Sequence, residues 1–238
     1  RGAPPAGLLR GLAALPPGWR PLVAEEGLQS WLFLRRADAA VTQQDFRVLC
    51  DAVDWEELRG PTGSITRKTS WMVGRGCRCA YGYGAHEVAP TPMPPWMEAM
   101  MQRWLGQLCR GNWPDSVNLN LYEGGLHGVG WHADDEQLFQ GGERGACIVS
   151  VSLGASRLFQ VGRRAPRRGG QPLAEEGTVR DVRLGHGDVC TMEGLFQRYF
   201  VHRLARERAP RLPRVNATFR WIAQHAASCP LRAPEGRR

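Results

Sequence analysis

The 238-residue sequence has no long uninterrupted apolar segment. Its nearest approach, Ala146 to Leu153, is short and contains serines, whereas a membrane-spanning helix needs about 18 or more apolar residues in a row. The apolar stretch Ala6 to Leu15 is interrupted by Arg10 and leads into two prolines, so it makes a poor signal peptide. The sequence therefore excludes a transmembrane helix, and we expect no membrane partner.

Paired cysteine motifs are also missing. The seven cysteines include no C-x-x-C pair, and an odd number argues against a closed disulfide framework. Free cysteines favour a reducing, intracellular compartment, either the nucleus or the cytoplasm. Cys77 and Cys79 would need further ligands to bind zinc, and the sequence offers no second cysteine pair. We therefore expect no zinc site there.

Lysine is nearly absent as well. Lys68 is the single lysine among 31 basic residues, and the formal net charge is +8. Residues 157–220 contain 14 basic and 6 acidic residues, a surplus equal to that whole net charge. Two interpretations stay open: a genome rich in G and C, or an anionic partner such as nucleic acid. The candidates for phosphate contact are Arg163, Arg164, Arg167, Arg168, Arg203, Arg206, Arg208 and Arg211.

The local composition of the sequence divides the chain into three parts. Residues 1–22 are rich in Gly, Ala, Pro and Leu and predict a linker or a loosely docked arm. Residues 23–225 predict one domain, and residues 226–238 a flexible tail. Apolar spacing predicts helices over 39–58 and from Pro95 to Cys109.

Short alternating segments between glycine turns follow from Asn118 onward. They predict about eight strands, near 118–122, 129–134, 146–153, 157–162, 178–184, 188–192, 199–203 and 214–222. Strands at this spacing favour an antiparallel sandwich or barrel, so the predicted fold is mainly β with flanking helices.

The last predicted strand carries an unusual polar face. Its alternating polar residues are Arg214, Asn216, Thr218 and Arg220. Asn118, Asn120 and Tyr122 share a face of an earlier strand in the same way. One interpretation is an ordinary sheet with its polar face in water. If both faces look into a barrel, the buried guanidinium groups require an anion, and a dicarboxylate fits because arginine grips a carboxylate through two parallel hydrogen bonds.

A candidate metal site lies between these strands. His132 and Asp134 are two residues apart, so they project together from one strand, and His202 ends another predicted strand. Two imidazoles and one carboxylate form the ligand set of non-haem Fe(II) oxygenases. An isolated H-x-D pair is common, and the alternative interpretation is that His132 and Asp134 are simply exposed at the end of a strand.

The order of motifs along the chain resembles the AlkB family of Fe(II)/2-oxoglutarate dioxygenases, in particular the branch that repairs alkylated bases. The motifs that carry the resemblance are Asn120-x-Tyr122, His132-x-Asp134-Asp135-Glu136, Val151-Ser152-Leu153-Gly154-Ala155-x-Arg157-x-Phe159, Gly187-Asp188, Met192, His202 and Arg214-x-Asn216-x-Thr218-Phe219-Arg220. The resemblance as a whole covers roughly residues 63–222.

The resemblance implies a double-stranded β-helix, or jelly roll, with its core at residues 116–222. It makes His132, Asp134 and His202 the iron ligands and thus the catalytic residues. The implied 2-oxoglutarate residues are Asn120, Tyr122, Arg214, Asn216, Thr218 and Arg220, with both arginines on the distal carboxylate. Dioxygen is the co-substrate.

Residues 63–115 resemble the region of the family that contains the nucleotide-recognition lid and a helix. The implied substrate-binding residues are Arg67, Lys68, Trp71, Tyr81, Tyr83 and Asp135. A flipped base needs flat or apolar surfaces, which the aromatic residues of this set offer. Their alternative role is packing within a hairpin, and that of Asp135 is a solvated turn. The chain departs from the family after His202, where Arg203 and Leu204 replace a hydroxyl residue and a proline.

The implied activity is oxidative dealkylation of N-methylated bases, of the 1-methyladenine or 3-methylcytosine type, in DNA or RNA. The products are formaldehyde, succinate and carbon dioxide, and we expect a monomer. The first alternative is a 2-oxoglutarate oxygenase acting on a protein, lipid or small molecule. The second is a catalytically silent nucleic-acid-binding module.

Overall fold

The computed structural model describes residues 4, 5, 7–59, 63, 65–83, 86–166, 172–209 and 211–232. The helices are α1 (Gln43–Ala52), α2 (Pro95–Cys109) and α3 (Phe196–Tyr199), with a 3-10 turn at Glu26–Leu28. The strands are β1 (Trp19–Glu25), β2 (Ser30–Arg35), β3 (Glu56–Arg59), β4 (Ile65–Val73), β5 (Tyr81–Tyr83), β6 (His86–Val88), β7 (Pro90–Pro92), β8 (Ser116–Tyr122), β9 (Val129–His132), β10 (Ile148–Gly154), β11 (Arg157–Arg163), β12 (Arg180–Leu184), β13 (Val189–Gly194), β14 (Phe200–Leu204) and β15 (Arg214–Arg220).

The strands form two main sheets. The larger has the order β1-β2-β13-β10-β15-β8-β4-β3, with β7 parallel to β4 at one side. The smaller has the order β12-β11-β14-β9, and β5 and β6 form a separate two-stranded hairpin. The main strand pairs other than β4–β7 are antiparallel. The mainly β jelly-roll class predicted from the sequence is confirmed.

The apolar face of the larger sheet packs under the long helices. Val215, Ala217 and Phe219 of β15 belong to one buried cluster with residues of α1 and α2. The Trp104 ring of α2 meets the Phe219 ring edge-on at 6.2 Å. Asp45 of α1 accepts a hydrogen bond from Trp104 Nε1 at 3.0 Å, which ties the helices together. The alternation of β15 therefore directs its apolar residues to the helices and its polar residues to the other side.

The first helix is shorter than predicted. We expected it over 39–58, but α1 covers Gln43–Ala52 and begins with a capping box between Thr42 and Asp45. Residues 56–59 instead form β3, which pairs with β4. Pairing with a neighbouring strand overrides the local helical spacing there. The second helix has the predicted bounds.

The boundary predicted at residue 22, between an N-terminal arm and the domain, falls inside β1, which pairs with β2. Leu9 is 2% exposed, and its backbone N–H donates to the Glu193 carboxylate at 3.1 Å. These contacts join residues far apart in the sequence, so local composition carried no trace of them. At the other end, the predicted tail begins at 226, yet Cys229 is buried; residues 233–238 lie outside the described residues.

Among the described residues, no helix is both long and apolar enough to cross a membrane.

Candidate functional site

Strand register brings the predicted polar residues into one pocket. In the β15–β8 pair, Arg214 lies opposite Tyr122, and Asn216 opposite Asn120. β10, on the other side of β15, adds Ser150 and Ser152 to the same face. The pocket is lined by Arg67, Tyr81, Asn118, Asn120, Tyr122, Val129, His132, Asp134, Ser150, Phe159, Leu184, Cys190, Met192, His202, Leu204, Arg214, Asn216, Thr218 and Arg220. Side chains of both main sheets therefore meet in it.

The predicted metal ligands converge at one end of this pocket. His132 on β9 lies opposite His202 on β14, and their ring centroids are 4.3 Å apart. Candidate ligand atoms of His132, Asp134 and His202 all lie within 4.8 Å of one another. His132 Nδ1 is 2.9 Å from the Gly130 carbonyl, and its Nε2 is 3.7 Å from Asp134 Oδ1. A backbone carbonyl thus orients the ring so that Nε2 faces the carboxylate.

Asp134 is held ionised by its surroundings. Arg220 Nη2 donates to Asp134 Oδ2 at 2.6 Å, and the side-chain oxygen of Gln197 accepts the Asp134 N–H at 2.9 Å. Burial alone would raise the pKa of Asp134, but the charge and the hydrogen bond of the Arg220 guanidinium hold it well below its usual range. A buried carboxylate that stays charged suits a divalent cation.

Both histidines are held neutral. Burial lowers the pKa of His202 to about 3, with His132 adding to the effect, and burial also lowers the pKa of His132. An imidazole must be neutral to bind a metal ion. The set of two neutral imidazoles and one carboxylate fits the ligands of an Fe(II) ion.

The buried arginines lie at different places in the pocket. Arg214 Nη2 donates to Ser152 Oγ and Asn216 Oδ1, both at 2.9 Å, and its guanidinium lies 5.6 Å from the centre of the Tyr122 ring. Arg220 is instead paired with Asp134. Six residues of a strand span about 20 Å. The expectation that both arginines hold one distal carboxylate is therefore wrong, because Arg220 is engaged at the metal-ligand end.

Three buried guanidinium nitrogens of the pocket residues have no hydrogen-bond partner among the described residues. They are Arg214 Nε, Arg220 Nε and Arg220 Nη1, all buried. Burial lowers the pKa of Arg214 to about 10, so the side chain stays charged near neutrality. Buried polar groups are nearly always hydrogen-bonded, and charged ones without a partner are costly. The pocket therefore fits an anion.

Amides and hydroxyls connect the arginines along the pocket. Asn216 Nδ2 donates to Thr218 Oγ1 at 2.7 Å, and Ser150 Oγ donates to Asn216 Oδ1 at 3.0 Å. Asn120 Oδ1 accepts from Arg67 Nε at 2.8 Å. Each side chain of the predicted 2-oxoglutarate set thus lines the pocket.

The predicted aromatic residues have different environments. Tyr81 lines the pocket, and its ring stacks on Trp71 with centroids 5.1 Å apart. Trp71 is 1% exposed and its Nε1 donates to the Cys79 carbonyl at 2.8 Å. Trp71 is therefore a core residue behind Tyr81, and our prediction that it contacts a base is corrected to a supporting position. The side chain of Tyr83 lies outside the described residues.

The residues that resemble the lid lie in two different elements. The stretch from Thr66 to Val73 lies in β4, a strand of the larger sheet, and Tyr81 lies in β5, which forms a separate hairpin with β6. Arg67 faces the pocket, whereas Lys68 pairs with Glu123 at 2.7 Å on the surface.

Acidic partners engage part of the arginine set proposed for phosphate contact. Asp135 is 41% exposed in its side chain and pairs with Arg164 at 2.8 Å, and Arg163 pairs with Glu25 at 3.0 Å. Arg206, Arg208 and Arg211 are exposed. Arg167 and Arg168 lie outside the described residues.

The contact of Glu136 with the pocket residue Tyr81 was not predicted from the sequence. Tyr81 donates its hydroxyl to Glu136 Oε1 at 2.5 Å. Burial, with the nearby Asp134 charge, raises the pKa of Glu136 to about 7. Glu136 stands directly after the H-x-D-D run, but only the fold shows that it reaches Tyr81.

Arg157 is a second residue whose role was not predicted. It is 0% exposed and donates to the backbone carbonyls of Gly124, Gly125, His127 and Ala205 and to Glu207. It therefore fixes the loop that leads into β9, which carries His132.

A sequence profile of the 2OG-Fe(II) oxygenase superfamily matches residues 32–220. Alpha-ketoglutarate-dependent dioxygenase alkB homolog 3 of Bos taurus is 30% identical over 201 residues, 79% of this chain and 63% of the relative. DNA oxidative demethylase ALKBH2 of Arabidopsis thaliana is 28% identical over 121 residues, 45% of this chain and 38% of the relative. The chain thus spans less than two thirds of these relatives' own length.

The structure of OsALKBH1 has the same fold, with a TM-score of 0.55 at 18% identity, covering 85% of this chain and 100% of that one. The curated relatives confirm the resemblance to AlkB proteins that the motifs indicated. The name of the family contains both Fe(II) and 2-oxoglutarate, and the family match therefore confirms these two predicted cofactors. Its motifs, its fold and its match over residues 32–220 show that the chain belongs to the 2OG-Fe(II) oxygenase superfamily.

Proposed function

We propose that this protein is an Fe(II)- and 2-oxoglutarate-dependent enzyme that removes methyl groups from N-methylated bases in nucleic acid. The observation that carries the proposal is the pocket in which His132, Asp134 and His202 meet the buried guanidinium groups of Arg214 and Arg220. The relatives' names add the substrate class, since one of them is a DNA oxidative demethylase.

His132, Asp134 and His202 would hold the iron. When bound with 2-oxoglutarate and dioxygen, the iron supplies the oxidising chemistry that hydroxylates a methyl group. The protein's part is to keep both imidazoles neutral and the carboxylate charged, which burial and Arg220 do. Arg220 also keeps the Asp134 carboxylate in one orientation through their 2.6 Å hydrogen bond.

Arg214 would bind the distal carboxylate of 2-oxoglutarate. Its Nη2 is oriented by Ser152 and Asn216, which leaves Nε to donate into the pocket. Tyr122 packs against the guanidinium, and Asn120 is fixed by Arg67. Arg220, at the metal-ligand end, contributes positive charge where the other carboxylate of the co-substrate would lie.

Tyr81 would provide the surface against which a flipped base packs. It is supported from behind by Trp71, and Glu136 fixes its hydroxyl. Exposed Arg206, Arg208 and Arg211, on the segment between β14 and β15, would contact phosphates. We further propose a reducing compartment, the nucleus or the cytoplasm, because the seven cysteines are all free thiols. A monomer is proposed as well.

The test is a panel of oligonucleotides that carry 1-methyladenine or 3-methylcytosine, in single and double strands of DNA and RNA, incubated with Fe(II), 2-oxoglutarate and air. We expect mass spectrometry to show loss of the methyl group from at least one member, and His132→Ala to abolish that loss. The matched control is Cys50→Ser, a half-buried position in α1 away from the pocket.

A failure across the whole panel, with succinate still produced slowly, contradicts the nucleic-acid substrate. That result favours the alternative of a protein, lipid or small-molecule substrate. Neither succinate nor demethylation, combined with retained oligonucleotide binding, favours the silent binding module.

A further inference from the structure

Four potential ligands from two distant segments meet outside the pocket already described. Cys77 and Cys79 lie in the loop between β4 and β5, and His225 and Cys229 lie beyond the end of β15. Their ligand atoms all lie within 4.8 Å of one another. Since about 150 residues separate the two segments, the fold itself creates the cluster.

Four of the six separations match the edges of a tetrahedron around one ion, and the other two are within 4.8 Å. His225 Nδ1 is 3.6 Å from Cys77 Sγ, 3.4 Å from Cys79 Sγ and 3.4 Å from Cys229 Sγ. The sulfurs of Cys77 and Cys229 are 3.9 Å apart. Tetrahedral Zn²⁺, with bonds of about 2.3 Å to sulfur and about 2.0 to 2.1 Å to nitrogen, places sulfur about 3.6 Å from nitrogen and about 3.8 Å from sulfur.

A disulfide does not account for this arrangement. All these cysteines are free, and 3.9 Å between sulfurs is far beyond the bonded distance of about 2.05 Å. A disulfide also gives no reason for one imidazole nitrogen to sit close to the sulfurs of three cysteines.

Backbone N–H groups donate to the sulfurs of the cluster. The N–H of Arg78 donates to Cys229 Sγ at 3.4 Å, that of Cys79 to Cys77 Sγ at 3.5 Å, and that of Ala226 to Cys79 Sγ at 3.3 Å. Each sulfur of the cluster thus accepts a backbone hydrogen bond. Such bonds stabilise the deprotonated form that binds metal.

The cluster lies on a small apolar core that also supports the pocket. Cys79 and Cys229 are buried together with Trp71, Tyr81 and Phe139. The carbonyl of Cys79 accepts the Trp71 indole hydrogen bond, and Tyr81 follows two residues later. An ion at the cluster would therefore fix the loop from which Tyr81 enters the pocket.

We propose that Cys77, Cys79, His225 and Cys229 bind one structural Zn²⁺ that fastens the segment after β15 to the loop before β5. Four protein ligands close the coordination sphere, so this site has a structural role and no open position for a substrate. Binding replaces the protons of three thiols. The expectation of no zinc site at Cys77 and Cys79 rested on the lack of a second cysteine pair; the fold instead brings His225 and Cys229 of the C-terminal segment to them.

The first test measures metal content of the purified chain by native mass spectrometry and elemental analysis. We expect one zinc per chain after incubation with one equivalent of Zn²⁺ under reducing conditions and gel filtration. The variant His132→Ala with Asp134→Ala, which disables the other candidate metal site, should retain that zinc. Cys77→Ser with Cys229→Ser should lose it, and the matched control Cys50→Ser should keep it.

Zinc that is absent from the wild-type chain, or that persists in the Cys77→Ser, Cys229→Ser variant, overturns the proposal. Where that variant fails to fold, the wild-type chain and the His132→Ala, Asp134→Ala variant together still decide the matter. Loss of zinc from the His132→Ala, Asp134→Ala variant alone also overturns it, because the ion would then belong to the iron site.

Thiol accessibility gives a second and independent readout. In the zinc-loaded wild-type protein we expect Cys77, Cys79 and Cys229 to resist alkylation until a chelator is added, whereas reductant alone changes nothing. Protection that reductant removes and chelator leaves unchanged would indicate a disulfide and overturn the zinc site. Neither experiment involves demethylation, so the zinc site and the proposed activity succeed or fail separately.

Discussion

Arg214 shows how a single buried charge shapes the pocket. It is 2% exposed and its Nε has no hydrogen-bond partner among the described residues. Removing one member of a buried, hydrogen-bonded charge pair costs about 2 to 5 kcal/mol of binding. We therefore predict that Arg214→Ala weakens 2-oxoglutarate binding by roughly 30-fold or more, because about 1.4 kcal/mol is tenfold.

Calorimetric titration of 2-oxoglutarate into Mn²⁺-loaded protein without oxygen measures this effect. Arg47→Ala, on the exposed side of α1, is the matched arginine control and should bind as the wild type does. Equal affinity in the Arg214 variant would remove that residue from the co-substrate site.

Tyr81 separates the contribution of a ring from that of a hydroxyl. Stacking of one base on an aromatic side chain contributes about 1 to 3 kcal/mol. We predict that Tyr81→Ala weakens binding of a methylated oligonucleotide about tenfold or more, while Tyr81→Phe, which loses only the hydrogen bond to Glu136, stays near the wild type. Fluorescence anisotropy compares the variants, and a Tyr81→Ala variant with unchanged affinity contradicts the stacking role.

Single residues differ in how far their roles could be predicted. The polar face of Arg214 and Asn216 followed from strand alternation, since every second side chain shares a face. Pairing of Arg220 with Asp134, and of Tyr81 with Glu136, depends on how two sheets and a hairpin approach each other. That approach has no local signal, and neither does the burial of Trp71.

At the scale of elements, Arg157 joins loops to the smaller sheet. Its guanidinium donates to the backbone carbonyls of Gly124 and Ala205 and pairs with Glu207 at 3.3 Å. Breaking a buried ion pair by removing one partner costs about 3 to 5 kcal/mol. We predict that Arg157→Met lowers the free energy of unfolding by about that amount, measured by urea denaturation.

Arg183→Gln is the control for that measurement. Arg183 contacts the same Glu207 from an exposed position, and surface ion pairs contribute about 0 to 1 kcal/mol. If Arg157→Met is as stable as Arg183→Gln, the contacts of Arg157 do not support the fold.

Helices and strands with a clear local pattern of apolar residues were predicted correctly, and those without one were missed. α2 begins at a proline and carries an apolar face, and its bounds were predicted correctly. Strands from β8 onward alternate and were found, whereas β1 and β2 lie where the sequence shows little alternation. α1 ends before the predicted boundary because residues 56–59 pair with β4 as a strand, which is a tertiary effect.

At the scale of the whole molecule, the arginine excess now has separate parts. Arg157, Arg214 and Arg220 are buried and serve the interior. Exposed Arg206, Arg208 and Arg211 remain for an external anion. The composition raised the question of an anionic partner, and the fold shows which arginines can reach one.

Salt dependence tests that external role. Each phosphate neutralised releases counterions, so log affinity falls with log salt with a slope of about −0.9 per contact on duplex DNA and about −0.7 on single strands. We predict that replacing Arg206, Arg208 and Arg211 with glutamine makes the slope shallower by about two to three units. Oligonucleotide binding from low to high salt measures it, and a slope unchanged by the substitutions assigns the contacts elsewhere.

Long-range contacts mark the limit of prediction from this sequence. Leu9 meets Glu193, and Cys77 meets Cys229, across most of the chain. Their partners are set by sheet order, which short motifs do not encode.

The central claim is that the pocket couples 2-oxoglutarate oxidation to demethylation of a base. The most direct test measures succinate and demethylated base in the same reaction, by mass spectrometry, over a series of times. We predict equal amounts of the two products throughout, and neither product in His202→Ala. Succinate formed without any demethylated base across the substrate panel, or demethylation that survives His202→Ala, would contradict the account.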